Sequence, residues 1–246
     1  MKISLRHLLI SLTALVIAVL VVVLITQNPV RLGEQPLLLR ALLLNLAVLA
    51  ALVAVYPFNP LFHQRPTAYG MLVCVPALLP GFFWFLFWLP TQAGDGFDIE
   101  QIEHSLITDS SSNAIVEVGF SYPIYTPSFE FDNQGLYTRA VEVFLRMTDA
   151  QGEDALFRGV RDTIPGQGLN VESSVRGMLS RNEEYLFNPL YLPPGKPVQG
   201  RVVFIISNLD DGASFSLALR QARAVQLELR DPVSGQLLEQ IPVARD

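Results

Sequence analysis

Cysteine is almost missing from this chain. Cys74 stands alone among 246 residues, so an intrachain disulfide and a thiolate metal cluster are both impossible. Histidine is scarce as well, with His7, His63 and His104. Three histidines are too few for a histidine-rich metal centre. A Ser-His-Asp hydrolase would depend on His104, because His7 and His63 flank apolar runs, and no Gly-x-Ser-x-Gly elbow is present. His104 is read as an exposed polar residue. Basic charge is lacking where nucleic acid would need it. Residues 95–246 hold 12 Lys+Arg against 22 Asp+Glu, a net of −10, and offer no footprint for phosphate backbones. Repeats of fixed period and low-complexity tracts are also missing.

What the chain has in excess is apolar residues. Half of it is AVILMFWYC, and the mean hydropathy is +0.36. That surplus is concentrated in residues 1–94, which carry five basic residues and only Glu34, a net of +4. Leu8–Thr26 is an uncharged run of 19 residues, enough to cross a hydrocarbon core of about 30 Å at ~1.5 Å per residue. Lys2, Arg6 and His7 precede it, as in a signal peptide. The run is longer than a usual signal core and lacks a small-x-small cleavage site, so an uncleaved span is expected. Leu37–Tyr56 is the second run and contains Arg40 and Asn45. Arg40 lies one turn from the end and is expected to snorkel to the interface. Asn45 is deeper, and an amide there calls for a neighbouring helix, making it a candidate intramembrane contact. Thr67–Leu89 is the third run, kinked by Pro76, Pro80 and Gly81 and ending in an aromatic belt with Trp84 and Trp88. Basic residues near the span ends number three against two, favouring a cytoplasmic N-terminus and an extracytoplasmic C-terminal domain.

The expected organisation is a three-helix transmembrane region over 1–90, a Gly/Asp linker over 91–97, and an all-β domain over 98–246. Strand signals recur at regular spacing with turn residues between them, the pattern of a β-sandwich. Asp98–Ile107 suits either a short helix or a strand, with a strand favoured. Ala114–Tyr122 alternates cleanly, and Leu136–Thr148, Ala155–Val160, Phe215–Leu219, Ala224–Leu229 and Leu237–Val243 read as further strands. Ser173–Leu179 suits a short strand or one helical turn. Val198–Ser207 is apolar on both faces, with Val202, Phe204 and Ile206 opposite Val203 and Ile205, and should be a central strand.

No residue pattern points to catalysis, to a cofactor or to a metal. The carboxylate pairs Glu153/Asp154, Glu183/Glu184 and Asp210/Asp211 fall in turns, where acids are expected for solvation. Asn208, Asp210 and Asp211 are the best calcium candidates but lack EF-hand spacing. Gly166-x-Gly168 lacks the flanking elements of a phosphate loop. The aromatic stretch Tyr122, Tyr125, Phe129 and Phe131, threaded with Pro123 and Pro127, admits two readings: a core strand, or an exposed interaction surface.

Leu192-Pro-Pro-Gly-Lys-Pro-Val-Gln-Gly-Arg-Val-Val-Phe204, with the turn Asp149-Ala-Gln-Gly152, resembles a turn-plus-strand feature of immunoglobulin-like domains on bacterial membrane-anchored proteins. The resemblance covers about 25 residues and implies an immunoglobulin-like β-sandwich without a catalytic residue. The expectation is therefore a non-enzymatic protein of the bacterial inner membrane. Its partners would be the lipid bilayer and another envelope or membrane protein, and its domain would be periplasmic. The alternative is an accessory subunit of a membrane transport or secretion complex.

Overall fold

The computed structural model describes residues 5–62, 65–103, 106–107, 122–164, 171–209 and 212–244, with backbone only at 106–107 and 212–213. The expected strand over Ala114–Tyr122 falls mostly outside these residues, as do His63, His104, Gly166 to Gly168, Asp210 and Asp211. The chain divides into two units, Met1–Gly94 with Leu136–Thr138, and Asp95–Gly135 with Arg139–Asp246.

The first unit contains three helices long and apolar enough to cross a membrane: Leu5–Gln27, Leu37–Phe58 and Pro66–Gln92. Small side chains let the first two approach closely. Ser11, Ala14 and Ala18 are buried on one, and Ala41, Ala47, Ala50 and Ala54 on the other, as expected where lipid offers no hydrophobic drive to helix association. The Ser11 hydroxyl donates to the Ala54 carbonyl, and the Tyr69 hydroxyl donates to the Leu52 carbonyl at 2.9 Å. The third helix contains two π-helical segments, Gly70–Cys74 and Trp84–Trp88. Each ends two residues before a proline, Pro76 and Pro90. A proline ring collides with the carbonyl four residues back and supplies no N–H, and the wider π turn relieves that collision. The kinks are therefore absorbed without ending the helix.

Arg40 departs from the expected snorkel. It is buried, and each nitrogen of its guanidinium donates to a main-chain carbonyl. Nε donates to Gln35 at 2.9 Å, Nη1 to Leu136 at 2.8 Å and Nη2 to Gly33 at 2.5 Å. The same unit holds Thr138, whose N–H donates to Gly33 and whose hydroxyl donates to Val30 at 2.8 Å. Carbonyls gathered at this point replace the interfacial water that an arginine would otherwise seek.

The second unit is β-rich. In chain order its strands are β1 (Phe97–Glu103), β2 (Leu106–Ile107), β3 (Ile124–Tyr125), β4 (Ser128–Asn133), β5 (Arg139–Thr148), β6 (Asp154–Arg158), β7 (Tyr185–Leu186), β8 (Leu190–Leu192), β9 (Val198–Val202), β10 (Phe204–Ile205), β11 (Ala224–Arg230) and β12 (Leu237–Pro242). One sheet has the order β1-β4-β9-β7, a second β10-β3-β2, and a third β12-β11-β5-β6 with β8 also paired to β5. The pairings are antiparallel except β7 with β9. The main apolar core draws on all three sheets, with Phe129 and Phe131 from β4, Tyr125 and Phe204 from β3 and β10, and Val141, Val143, Leu145, Leu227 and Leu229 from β5 and β11.

Two helices correct the all-β expectation. Val171–Leu179 is helical, where a strand or one turn was expected. Gly212–Gln221 is helical where Phe215–Leu219 was read as a strand. The physical reason is a period of 3.6 in the second segment. Phe215 and Ala222 are buried seven residues apart, with Ala218 and Leu219 between them against the same core. The apolar stretch 198–207 also splits. β9 belongs to the first sheet and β10 to the second, with the step at Val203. Its two faces stay apolar because Val202, Phe204 and Ile206 enter the main core while Val203 and Ile205 enter a smaller one with Ile124, Val160 and Val175.

One side chain stands in for missing strand backbone. β5 is ten residues long, and on one side its edge is shared: β6 pairs residues 144–148 and β8 pairs residues 139–141. Val143 lies in the gap. Asn188, 1 % exposed, fills it: its Oδ1 accepts from the Val143 N–H at 2.9 Å, and its Nδ2 donates to the carbonyls of Val143 and Gly159, each at 3.0 Å. A Cβ on Gly159 would lie 3.0 Å from that Nδ2, so glycine leaves the amide room.

Candidate interaction cleft

The aromatic stretch resolves into interior and edge. Tyr125 is 1 % exposed, and Phe129 and Phe131 are fully buried. These three therefore do not form an exposed interaction surface. β4 is flanked by β1 and β9, and its alternation turns Phe129 and Phe131 to the core together, 5.9 Å apart between ring centres. The Tyr125 ring lies 6.5 Å from Phe204 and 5.3 Å from Phe215, and burial pushes its phenol pKa up to about 12. Tyr122, at 37 % exposure, sits at the surface. Asn45 is buried, and its amide faces Gly81 of the third helix so closely that a Cβ there would stand 2.5 Å from its Oδ1. Neither amide atom has a hydrogen-bond partner among the described residues.

A cleft of about 370 Å³ opens where the β5–β6 hairpin meets the segment Asn208–Ala222. Its floor is the exposed end of the main core: Met147, Phe157 and Leu209 with three alanines, Ala155, Ala218 and Ala222. The register explains the space. Met147 pairs with Ala155 and Leu145 with Phe157, so these side chains share the core face of the hairpin. Over its outer end lie alanines in place of larger residues, and the volume above Met147 stays unfilled.

The rim is acidic, with Asp149, Glu153 and Asp154, and among the described residues no Lys or Arg lines the cleft. The three carboxylates differ in availability. Asp149 folds the turn, accepting from the N–H groups of Gln151 and Glu153 at 2.9 and 2.8 Å, and Gly152 with φ +91° completes it. Asp154 accepts from Thr148 Oγ1 at 2.6 Å and from Arg146 Nη1 at 2.7 Å, bonds that hold its pKa below the ordinary range. The exposed Glu153 side chain is committed to neither of those arrangements. Sequence reasoning took Glu153/Asp154 as a solvated turn pair. The floor it stands over gave no sequence signal, because its key members are alanines.

A second depression, shallower and more polar, lies over Ser128, Gly200 and Glu184, and its Glu103 and Arg201 are paired at 2.7 Å. On the outer face of the third sheet Glu228 is buried between Arg146 and Arg230, at 2.5 and 2.7 Å. Burial pushes the Glu228 pKa up, and the two guanidinium contacts more than offset this, leaving it below the ordinary value. Among the described residues no group of three or more His, Cys, Asp or Glu side chains is placed to hold a metal ion.

No protein-family model matches the chain, and no curated protein matches it. Among solved structures it is similar to a lipoprotein-like protein of Bacillus subtilis, at 11% identity and a TM-score of 0.30. The match covers 62% of this chain and spans 38% of the length of that one.

Proposed function

We propose that this is a non-enzymatic protein of the bacterial inner membrane that displays its β-rich domain, an immunoglobulin-like sandwich in the broad sense of sheets sharing one core, to a partner protein of the cell envelope. The observation that carries the reading is the cleft: a concave site with an apolar floor and an uncommitted carboxylate at its rim, on a domain that buries Tyr125, Phe129 and Phe131 of its aromatic stretch in the core. The three apolar helices provide the anchor. The basic-residue bias supports a cytoplasmic N-terminus, and three crossings then put the domain in the periplasm. An accessory subunit of a membrane complex could offer Asn45 to a partner's helices. That amide is buried against this chain's own Gly81, which favours the first reading.

The test is site-specific photocrosslinking in living cells. A photoreactive residue at Gln151 or Gln221, on the cleft rim, should yield a discrete protein adduct, while one at Tyr191 or Val233 should not. Absence of any adduct from all four positions would overturn the reading. A reporter fused after Asp246 checks orientation, and cytoplasmic activity there would refute the outward assignment.

A further inference from the structure

We infer that the cleft takes a cationic-apolar peptide segment, in which an arginine or lysine side chain lies beside a leucine-sized one. The inference rests on the reading of the cleft as the contact site and adds the chemistry of what fills it. Volume sets the first condition: about 370 Å³ holds two or three side chains and excludes a whole domain. The floor sets the second. Met147, Phe157 and Leu209 with three alanines form an apolar bed that rewards methylene and branched aliphatic groups at roughly 25 cal/mol per Å² buried. Charge sets the third. Among the described residues the lining has three carboxylates and no basic residue, in a domain segment of net charge −10. Asp154 has both oxygens engaged, by Arg146 and Thr148, and Asp149 gives its Oδ1 to two turn amides, so Glu153, with neither oxygen engaged among the described residues, is the carboxylate freest to receive an incoming cation. A lysine or arginine stem can lie along the floor while its charged end reaches that rim, which matches both halves of the site at once. An acidic or purely polar segment matches neither.

The full chain in zwitterionic phosphatidylcholine nanodiscs is titrated with three fluorescein-labelled peptides, one alternating Leu and Arg, one alternating Leu and Glu, one alternating Ser and Arg, with empty discs as the blank. The Leu/Arg peptide should bind at least about tenfold more tightly than either of the others. Glu153→Lys, a change at an exposed side chain that leaves the fold alone, should weaken it by about tenfold, and Ala218→Leu, which fills the floor, by at least as much. Equal binding of all three peptides, no binding of the Leu/Arg peptide, or binding indifferent to Glu153→Lys would each overturn the inference. Rim crosslinks that persist while the peptide fails to bind would sink the cationic chemistry and leave the contact site standing. Failure of both would remove the site itself.

Discussion

Replacing Asn188 by alanine should cost the β-rich unit about a third of its stability, although the residue touches no cleft. The side chain makes three buried hydrogen bonds of 2.9 to 3.0 Å across the gap between β6 and β8. Each is worth roughly 0.5–1.5 kcal/mol net, and the orphaned Val143 N–H adds a desolvation penalty of about 1–3 kcal/mol. The Val143 carbonyl is partly spared, because the Gly159 N–H also donates to it at 2.9 Å. The terms span roughly 2.5–7.5 kcal/mol, and the spared carbonyl puts the loss toward the lower end, roughly 3–4 kcal/mol, against a typical total of ~5–15 kcal/mol for a domain. With a urea slope of about 2 kcal/mol/M, the midpoint should fall by roughly 1.5–2 M. Pulse proteolysis of the detergent-solubilised full chain in urea reads this directly, and hydrogen exchange at the Val143 amide reads its local origin. Asn188→Asp is the discriminating control. It conserves shape and an acceptor for Val143 but removes both donated bonds and buries a charge against two carbonyls. It should be no more stable than the alanine variant at pH 7. The introduced carboxyl would have a raised folded pKa, so that variant should regain stability as pH falls. A shift under about 0.5 kcal/mol for Asn188→Ala, or wild-type stability for Asn188→Asp, would refute the account of the amide as substitute backbone.

Glu228→Gln should destabilise by about 1–3 kcal/mol, below the 3–5 expected for breaking a fully buried pair because Arg146 and Arg230 are a quarter exposed. Glu228 has a folded pKa below its ordinary 4.5, so its contribution is present above that pH and lost as pH falls. Between pH 5 and 3 the wild type should therefore lose stability faster than the variant in urea titrations. Gly81→Ala places a Cβ 2.5 Å from Asn45 Oδ1 and should lower the stability of the helical unit by roughly 1–3 kcal/mol, read as earlier labelling of the buried Cys74 by a thiol-reactive dye on heating. Asn45→Ala in the same chain should restore it. Gly200→Ala would set a Cβ 2.7 Å from the Glu184 carbonyl, a backbone atom with little room to retreat, and should lower the urea midpoint of the β-rich unit.

The strongest signals in the sequence were those repeated along several residues. Three long apolar runs mark three helices, and alternation over Leu136–Thr148 and Ala224–Leu229 marks the paired strands β5 and β11. Phe215–Leu219 was misread because five residues of mixed apolar pattern fit both periods. The decisive partner, Ala222, lies beyond the window and is too small to register as apolar. Arg40 was misread for another reason. Its place in the helix is legible, but one of the carbonyls that hold it belongs to Leu136, 96 residues away, and a carbonyl carries no side-chain signature.

The cleft was hidden in the sequence for the same physical reason. A site announced in sequence consists of residues with chemistry of their own, such as histidine, cysteine or a glycine-rich phosphate loop. The cleft consists of space, created because Ala155, Ala218 and Ala222 stand where larger residues would close it, and one carboxylate with both oxygens free beside Asp154, which has none free, and Asp149, which has one. Neither an omission nor an unspent bond can be seen until the contacts of every neighbour are known. Glu153 and Asp154 look equivalent in sequence. The structure separates them by a single arginine, because Arg146 reaches Asp154 on the same hairpin and leaves Glu153 to the solvent. The function proposed for this protein depends on that inequality, which is why charge reversal at Glu153, rather than at the conspicuous aromatic stretch, is the substitution that bears most directly on it.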